Sequence, residues 1–132
     1  MIGYACISIP MRELGIYTSR TATLKTLRAN PGLAGELARA NIADLEKIIT
    51  ANEQRGLRFF RISSGLLPHM SSEFSEPGYE VRAFKTELAR CGRLARQWGH
   101  RLTMHPGQYV QLGSPRSEVV AASVDELRVG AE

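Results

Sequence analysis

The apolar positions of this chain fall into short continuous runs separated by longer periodic stretches. Three runs are typical of short buried strands: residues 2–9, nearly all apolar or small, residues 57–63, with aromatic and β-branched side chains, and residues 101–105. The third run is ended by Pro106 and Gly107, which favour turns. These runs predict three strands.

The stretches between the runs have the periodicity of helices that are apolar on one face. One stretch is followed by Gly56 and the next by Gly99, and glycine commonly follows the last residue of a helix. The first face consists of Leu37, Asn41, Leu45, Ile48, Ile49 and Asn52, and the second of Phe84, Leu88, Cys91, Ala95 and Trp98.

A third helix is predicted to begin at Ser114 and Pro115, a capping residue followed by a proline suited to the first turn. Its apolar stripe continues through Val120, Val124 and Leu127. Residues 16–31, rich in Thr and Arg, are expected to form a long loop or a loop with one short helix.

The order of elements, strand then helix three times over, predicts an α/β fold with parallel strands and right-handed crossovers. We treat residues 1–132 as one domain. A complete barrel of eight such units usually needs ~250 residues, and three strands leave both sheet edges uncovered. We therefore expect the amino-terminal part of a longer protein rather than a small open sheet, with self-association or a complementing carboxy-terminal half.

The composition is that of a globular protein, with 43% hydrophobic and 23% charged residues. No apolar run approaches the ~20 residues of a membrane helix, and the first residues lack the pattern of a signal peptide. We expect a cytoplasmic protein with no membrane partner, associated with the nucleoid when acting. Cys6 and Cys91 have no metal-binding spacing and are expected to be reduced thiols.

The net charge of +4 comes from 17 basic residues, of which only Lys25, Lys47 and Lys85 are lysines. Residues 1–116 hold 16 basic and nine acidic residues, whereas residues 117–132 hold one basic and four acidic residues, so the first part of the chain is more basic than the total suggests. Guanidinium groups bind phosphate oxygens in a bidentate geometry, which favours a nucleic-acid partner. A helical surface that simply uses arginine remains an alternative.

The carboxyl ends of parallel strands meet at one edge of a sheet, where α/β proteins place their functional groups. Cys6 and Ser8 follow the first predicted strand, and Ser63, Ser64 and, across a loop, His69 follow the second. The third strand is followed by the most informative group, which consists of His105, Gln108 and Tyr109.

At the end of the third strand, Pro106 fixes the exit and Gly107 is expected to allow a tight turn that directs Gln108 and Tyr109 back over the strand end. His105 has three open interpretations: a metal ligand, a general base, or a capping residue that hydrogen-bonds the loop. His69 has the alternative of a solvent-facing loop histidine. His100 lies at the other end of the strand and is given no role, and no carboxylate occupies a strand end.

Three ordered blocks of sequence resemble the ultraviolet-damage endonucleases. They are residues 3–7 (GYACI), 60–64 (FRISS) and 101–109 (RLTMHPGQY), and the third is specific even by itself. Residues 41–45 and the segment from Gly113 to Val120 are similar to the family as well. The resemblance covers essentially the whole chain but only the first part of the family's barrel.

The resemblance implies a partial TIM barrel, formed by about the first three βα units, in a metal-dependent DNA-repair endonuclease. Members of the family bind divalent ions, usually Mn²⁺, and cut double-stranded DNA immediately 5′ of ultraviolet photoproducts. By position His105 resembles the first metal-ligand histidine. Gln108 and Tyr109 resemble the pair that enters the duplex where the damaged dinucleotide flips out, and Tyr4 resembles a residue lining the lesion pocket.

Some positions depart from the family. Ser8 stands where an asparagine commonly faces the lesion, and a histidine expected near the catalytic centre aligns with Ser72, with His69 as its possible replacement. The later metal ligands have no counterpart, so the chain alone is not expected to cut DNA efficiently. Two other interpretations stay open: a non-catalytic damaged-DNA-binding module and a fragment of a sugar-isomerase-like metal barrel, which Gln108 and Tyr109 disfavour.

Overall fold

The computed structural model describes residues 2–70 and 74–132. Three strands, β1 (Gly3–Ala5), β2 (Phe59–Ser63) and β3 (Arg101–His105), form a sheet in the order β1-β2-β3. Both neighbouring pairs are parallel, so each connection crosses over through helical structure. The predicted alternation of strands and helices is confirmed.

The described helices are α1, Ile9–Glu13; α2, Leu24–Ala29; α3, Leu33–Gln54; α4, Lys85–Gln97; and α5, Ser117–Ala131. Helices α1, α2 and α3 connect β1 to β2, helix α4 connects β2 to β3, and α5 follows β3. Short 3₁₀ turns precede α4 at residues 64–66 and 81–84. Helices α3, α4 and α5 are the three that the apolar stripes predict, whereas α1 was not predicted.

The core lies between the sheet and the helices. Side chains alternate between the two faces of a strand, so the register partners Tyr4, Phe60 and Leu102 point to the helix-covered face. Phe60 is fully buried there among apolar side chains of α3 and α4. The opposite face carries Arg61 and, at the strand ends, polar residues described below.

The first strand is shorter than predicted. The apolar run at residues 2–9 was predicted as one strand, but β1 ends at Ala5. Cys6 adopts a left-handed backbone with φ of +60°, which cannot continue a strand, and Pro10 lies in the first turn of α1. The apolar run at residues 2–9 is therefore divided between β1 and the start of α1, because the backbone conformation at Cys6 ends the strand although the residues remain apolar.

The last helix begins later than predicted. Arg116 is the N-cap of α5, and the hydroxyl of Ser114 instead accepts a hydrogen bond from the Arg116 N–H at 3.3 Å. Ser114 therefore closes a local turn rather than capping the helix. The predicted helix ends are confirmed, since Gly56 and Gly99 have φ of +69° and +66°.

The segment at residues 16–31 contains α2 as its one short helix, as expected. Within the described ranges, no helix combines the length and apolar character needed to span a bilayer.

Candidate nucleic-acid interface

The three groups predicted at strand ends lie along one rim of the sheet. Ser63 and His105 are Cα register partners at the last positions of β2 and β3. The N–H of Cys6 donates to the carbonyl oxygen of Arg61 at 2.7 Å, which keeps the end of β1 beside the end of β2. The tertiary structure therefore brings together the loops that follow all three strands.

His105 is the last residue of β3, at the rim of the sheet. Its side chain makes no hydrogen bond to any residue that the structure describes, and its Nδ1 atom is buried. A buried polar atom without a partner costs free energy, so this nitrogen is suited to an external ligand. The interpretation of His105 as a capping residue has no supporting contact here.

Gln108 and Tyr109 form an exposed turn directly beyond His105. Tyr109 has 77% of its surface exposed, and the Val110 N–H donates to the Gly107 carbonyl oxygen at 3.1 Å across the turn. A large aromatic side chain this exposed has no packing role in the described part of the fold. The pair is available to a partner.

The turn is fixed to α5 on both sides. The N–H of Gly107 donates to Oε1 of Glu126 at 2.6 Å, and the N–H of Gln111 donates to Oγ of Ser123 at 2.8 Å. Gly107 was expected to provide a tight turn, but its φ is not in the left-handed region. A Cβ at this position would lie 2.6 Å from Oε1 of Glu126, so any other residue would require that carboxylate to shift.

Asn41 holds two of the rim loops against α3. Its Oδ1 accepts from the Arg20 N–H at 2.9 Å, and its Nδ2 lies within hydrogen-bonding distance of the Arg20, Gly65 and Leu66 carbonyl oxygens. Arg20 belongs to the segment after β1, and Gly65 and Leu66 follow β2. One buried amide therefore fixes both segments relative to each other.

Asp44, one turn further along α3, pairs with cations from two elements. Its carboxylate accepts from Arg20 at 2.6 Å and from Lys47 at 2.8 Å, and the Tyr17 N–H donates to it as well. Burial raises the pKa of Asp44, but the bonds from Lys47, Arg20 and Tyr17 outweigh it, so the pKa lies below its ordinary value. Asp44 is therefore a structural ion that fixes the loop after β1.

His69 lies in the loop after β2 and is bonded to a different loop. It is exposed, has a left-handed φ of +53°, and its Nε2 lies 3.0 Å from the Ala22 carbonyl oxygen. A catalytic role for His69 stays a prediction. Ser72, the position that aligns with the expected family histidine, lies outside the described residues.

Tyr4 and Ser8 occupy different surroundings. The Tyr4 hydroxyl donates to Oδ1 of Asn52 at 2.8 Å, and the ring packs against Phe60 with centroids 5.1 Å apart. Tyr4 therefore points to the helix-covered face, whereas His105 is on the other face. Ser8 is the N-cap of α1, at the rim, but its side chain makes no capping bond. DNA contacts by Tyr4 and Ser8 stay predictions.

The opposite end of the sheet is structural, as the sequence indicates for His100. The His100 side chain is fully buried, and its Nε2 lies 2.9 Å from Oε2 of Glu53. Arg58 forms a bidentate ion pair with the same carboxylate. The hydrogen bonds from Arg58, and to a smaller extent from His100, lower the pKa of Glu53. These contacts fix the connections that enter β2 and β3.

The described residues do not form a complete metal site. No group of three or more His, Cys, Asp or Glu side chains lies close enough to hold an ion there. The unpartnered Nδ1 of His105 fits one ligand position.

Sequence reasoning missed the residues that hold the rim in place. Asn41 was placed on an apolar helix face without a role, and Ser123 and Glu126 were not singled out. The signal for Asn41 was an amide within an apolar stripe, since buried amides need partners. Nothing in the local pattern distinguishes Ser123 and Glu126 from other polar residues of α5.

These observations define an α/β protein of parallel βα units that carries its candidate chemistry at the carboxyl ends of the strands. The chain belongs to the UV-endonuclease UvdE family, whose sequence profile it matches over residues 1–132. The resemblance inferred from the three sequence blocks is confirmed, and the sugar-isomerase-like interpretation falls away.

Relatives from distant organisms support this assignment. The chain is 43% identical over 129 residues to a UV-damage endonuclease homologue of Acanthamoeba polyphaga mimivirus, covering 96% of this chain and 39% of that protein. It is 37% identical over 130 residues to the UV-damage endonuclease of Schizosaccharomyces pombe, covering 96% of this chain and 21% of that one. The chain therefore spans well under half the length of these relatives.

The fold matches a solved structure of the same family. SacUVDE, known from a crystal structure, superposes with a TM-score of 0.83 and 30% identity over 96% of this chain and 42% of that chain. Three parallel βα units in this arrangement confirm the predicted α/β fold, the first three units of a TIM barrel.

Proposed function

We propose that this chain acts in DNA repair as the lesion-recognising part of a UV-damage endonuclease, which incises double-stranded DNA 5′ of a photoproduct. The observation that carries the proposal is the position of His105 beside the exposed Gln108–Tyr109 turn at one rim of the sheet. Family membership supports the reaction class.

Gln108 and Tyr109 are suited to enter a damaged duplex. A photoproduct weakens pairing and stacking, so flipping it out costs least where incision is wanted. A phenol can then stack in the vacated space while the neighbouring amide hydrogen-bonds base edges. The net charge of +4, largely from arginine, supports phosphate contacts that do not depend on sequence.

His105 would serve as one ligand of a divalent ion, Mn²⁺ in this proposal. Such an ion supplies charge stabilisation at the phosphate and an activated water when bound. This chain contributes an imidazole at a strand end, next to the turn that meets the DNA, and its Nδ1 has no hydrogen-bond partner among the residues that the structure describes. One imidazole binds an ion weakly, so we expect efficient incision to require ligands from a complementing carboxy-terminal half.

The test uses a duplex with one defined photoproduct and the same duplex without damage. The purified chain is incubated with each, with Mn²⁺ and with or without the remaining barrel of a relative supplied as a second polypeptide. We expect preferential binding of the damaged duplex by the chain alone and 5′ incision only with the second polypeptide. Equal binding of the two duplexes would contradict the repair function, and rapid incision by the chain alone would contradict the incomplete site.

A non-catalytic damaged-DNA-binding module is the second candidate. The exposed turn at Gln108 and Tyr109 favours it, because recognition needs only these side chains and a basic surface. The same experiment separates the two functions: damage-selective binding that never leads to incision, even with the second polypeptide, would identify the binding module.

A further inference from the structure

The turn that carries Gln108 and Tyr109 is hydrogen-bonded on both sides to polar side chains of α5. Ser123 is the residue of α5 that is fully buried, with 3% of its surface exposed. Glu126, one turn further along the helix, is half-buried. A buried serine on an otherwise half-exposed helix needs a polar partner, and the loop supplies it.

The Ser123 hydroxyl acts both as a hydrogen-bond donor and as an acceptor. Its Oγ donates to the Val119 carbonyl oxygen at 2.7 Å, which directs its lone pairs towards the Gln111 N–H at 2.8 Å. The hydroxyl proton and one acceptor position are thereby used within the protein. Position 111, two residues after Tyr109, is fixed by this bond.

Glu126 holds the other side of the turn. Its carboxylate accepts from the Gly107 N–H at 2.6 Å, and a hydrogen bond to an ionised acceptor is stronger than one between neutral groups. A Cβ at position 107 would lie 2.6 Å from the same carboxylate oxygen, so a side chain there would displace the Glu126 carboxylate and disturb this bond. The absence of a side chain at Gly107 therefore lets the Glu126 carboxylate approach the backbone closely enough to form this bond.

We propose that Ser123 and Glu126 are positioning residues that hold the Gln108–Tyr109 turn in the conformation that enters DNA, and so set the preference for damaged duplex. The inference rests on the proposed function. A turn bound at both ends loses little conformational entropy when it enters the duplex, and this is the benefit of preorganisation. Neither side chain needs to touch DNA.

The test compares dissociation constants for damaged and undamaged duplex across a set of variants of the protein. Glu126→Ala and Ser123→Ala each remove one acceptor, and we expect each to lower the preference for damage by about tenfold, as the loss of one such hydrogen bond predicts. Glu126→Gln keeps an acceptor oxygen and should restore most of the preference. Glu118→Ala is the matched control, because Glu118 is exposed in the first turn of α5.

Hydrogen exchange of two amides reports the bonds directly. The Gly107 amide should exchange faster in Glu126→Ala and the Gln111 amide faster in Ser123→Ala, with β3 amides unchanged. Faster exchange with an unchanged preference in both variants would overturn the proposal, and so would unchanged exchange. If either Glu126→Ala or Ser123→Ala fails to fold, the other variant tests the proposal through its preference for damaged duplex and its amide exchange.

Tyr109→Ala separates this inference from the function on which it rests. A lost preference in Tyr109→Ala, with full preference in Glu126→Ala and Ser123→Ala, would overturn the positioning role alone. An unchanged preference in Tyr109→Ala would show that the turn does not distinguish damaged DNA, and would overturn the positioning role as well. Equal binding of the two duplexes by the original protein would instead overturn the proposed function, and hydrogen exchange would still decide whether α5 fixes the turn.

Discussion

Ser63 and His105 are register partners at the last positions of two parallel strands, so the loops after β2 and β3 leave the sheet side by side. Because of this pairing, the turn at residues 108–109 and the segment after β2 lie at the same rim of the sheet. Hydrogen bonds to α3 hold the segment after β2, and hydrogen bonds to α5 hold the turn after β3.

Tyr109→Ala should weaken binding of a duplex that contains a photoproduct by about ten- to a hundredfold, because base–aromatic stacking contributes about 1–3 kcal/mol. Tyr109→Phe keeps the ring and should bind nearly as well as the original protein. Fluorescence anisotropy with labelled duplexes measures both. Undamaged DNA, held by phosphate contacts, should show little change, and an equal loss on both duplexes would contradict the stacking role.

Mn²⁺ should broaden the imidazole proton resonances of His105 far more than those of His100. The two residues lie at opposite ends of β3, roughly 16 Å apart at the rise of an extended strand. A titration followed by proton NMR checks this, with His105→Gln assigning the resonance. Broadening of the His100 resonances at the lower ion concentration would place the ion elsewhere.

Asp44 should make folding stability depend on acid pH. Its folded pKa lies below its ordinary value of 3.8, so its contribution is complete above that pH and is lost as the pH falls through the lower folded value. Asp44→Asn should lose about 1–3 kcal/mol at neutral pH and show a flatter acid dependence. Urea unfolding from pH 7 to pH 2 measures this, with exposed Glu118→Gln as the control. Parallel acid curves for Asp44→Asn and the original protein would contradict it.

Asn41→Ala should lower the free energy of unfolding by about 2–4 kcal/mol, because it leaves a backbone N–H and several carbonyl oxygens without partners in a buried site. Gln54→Ala, at an exposed position of the same helix, should change it by less than about 0.5 kcal/mol. Thermal and urea unfolding give both values. A loss in Asn41→Ala as small as in the control would show that the rim segments are held by other contacts.

The chain should self-associate at rising concentration, because β1 and β3 each pair on one side only in the described sheet. Ile2, 74% exposed beside β1, is expected to contribute, whereas Leu14, 73% exposed, lies at the far end of α1. Sedimentation velocity should show less association for Ile2→Lys than for Leu14→Lys. A compact monomer at all concentrations would contradict the prediction.

The sequence predicted the elements whose residues are set by local chemistry. The apolar stripe of α3 and its glycine end, the third strand and its proline stop, and the alternation that makes the sheet parallel are all confirmed. Errors occurred where two local signals competed. Residues 2–9 look like one strand until the φ of Cys6 is known, and Ser114 has the pattern of a cap but closes a turn.

The sequence by itself determined the family and the fold class, because these depend on residue type and order along the chain. It also singled out His105, Gln108 and Tyr109, whose roles stay predictions. Only the tertiary structure decided that Tyr4 points to the helix layer, that Asn41 joins two loops, and that Gly107 makes room for Glu126. The physical reason is distance along the chain. Hydrogen bonds between residues separated by 19 to 48 positions leave no periodic signal, and they exist only once packing has brought the partners together.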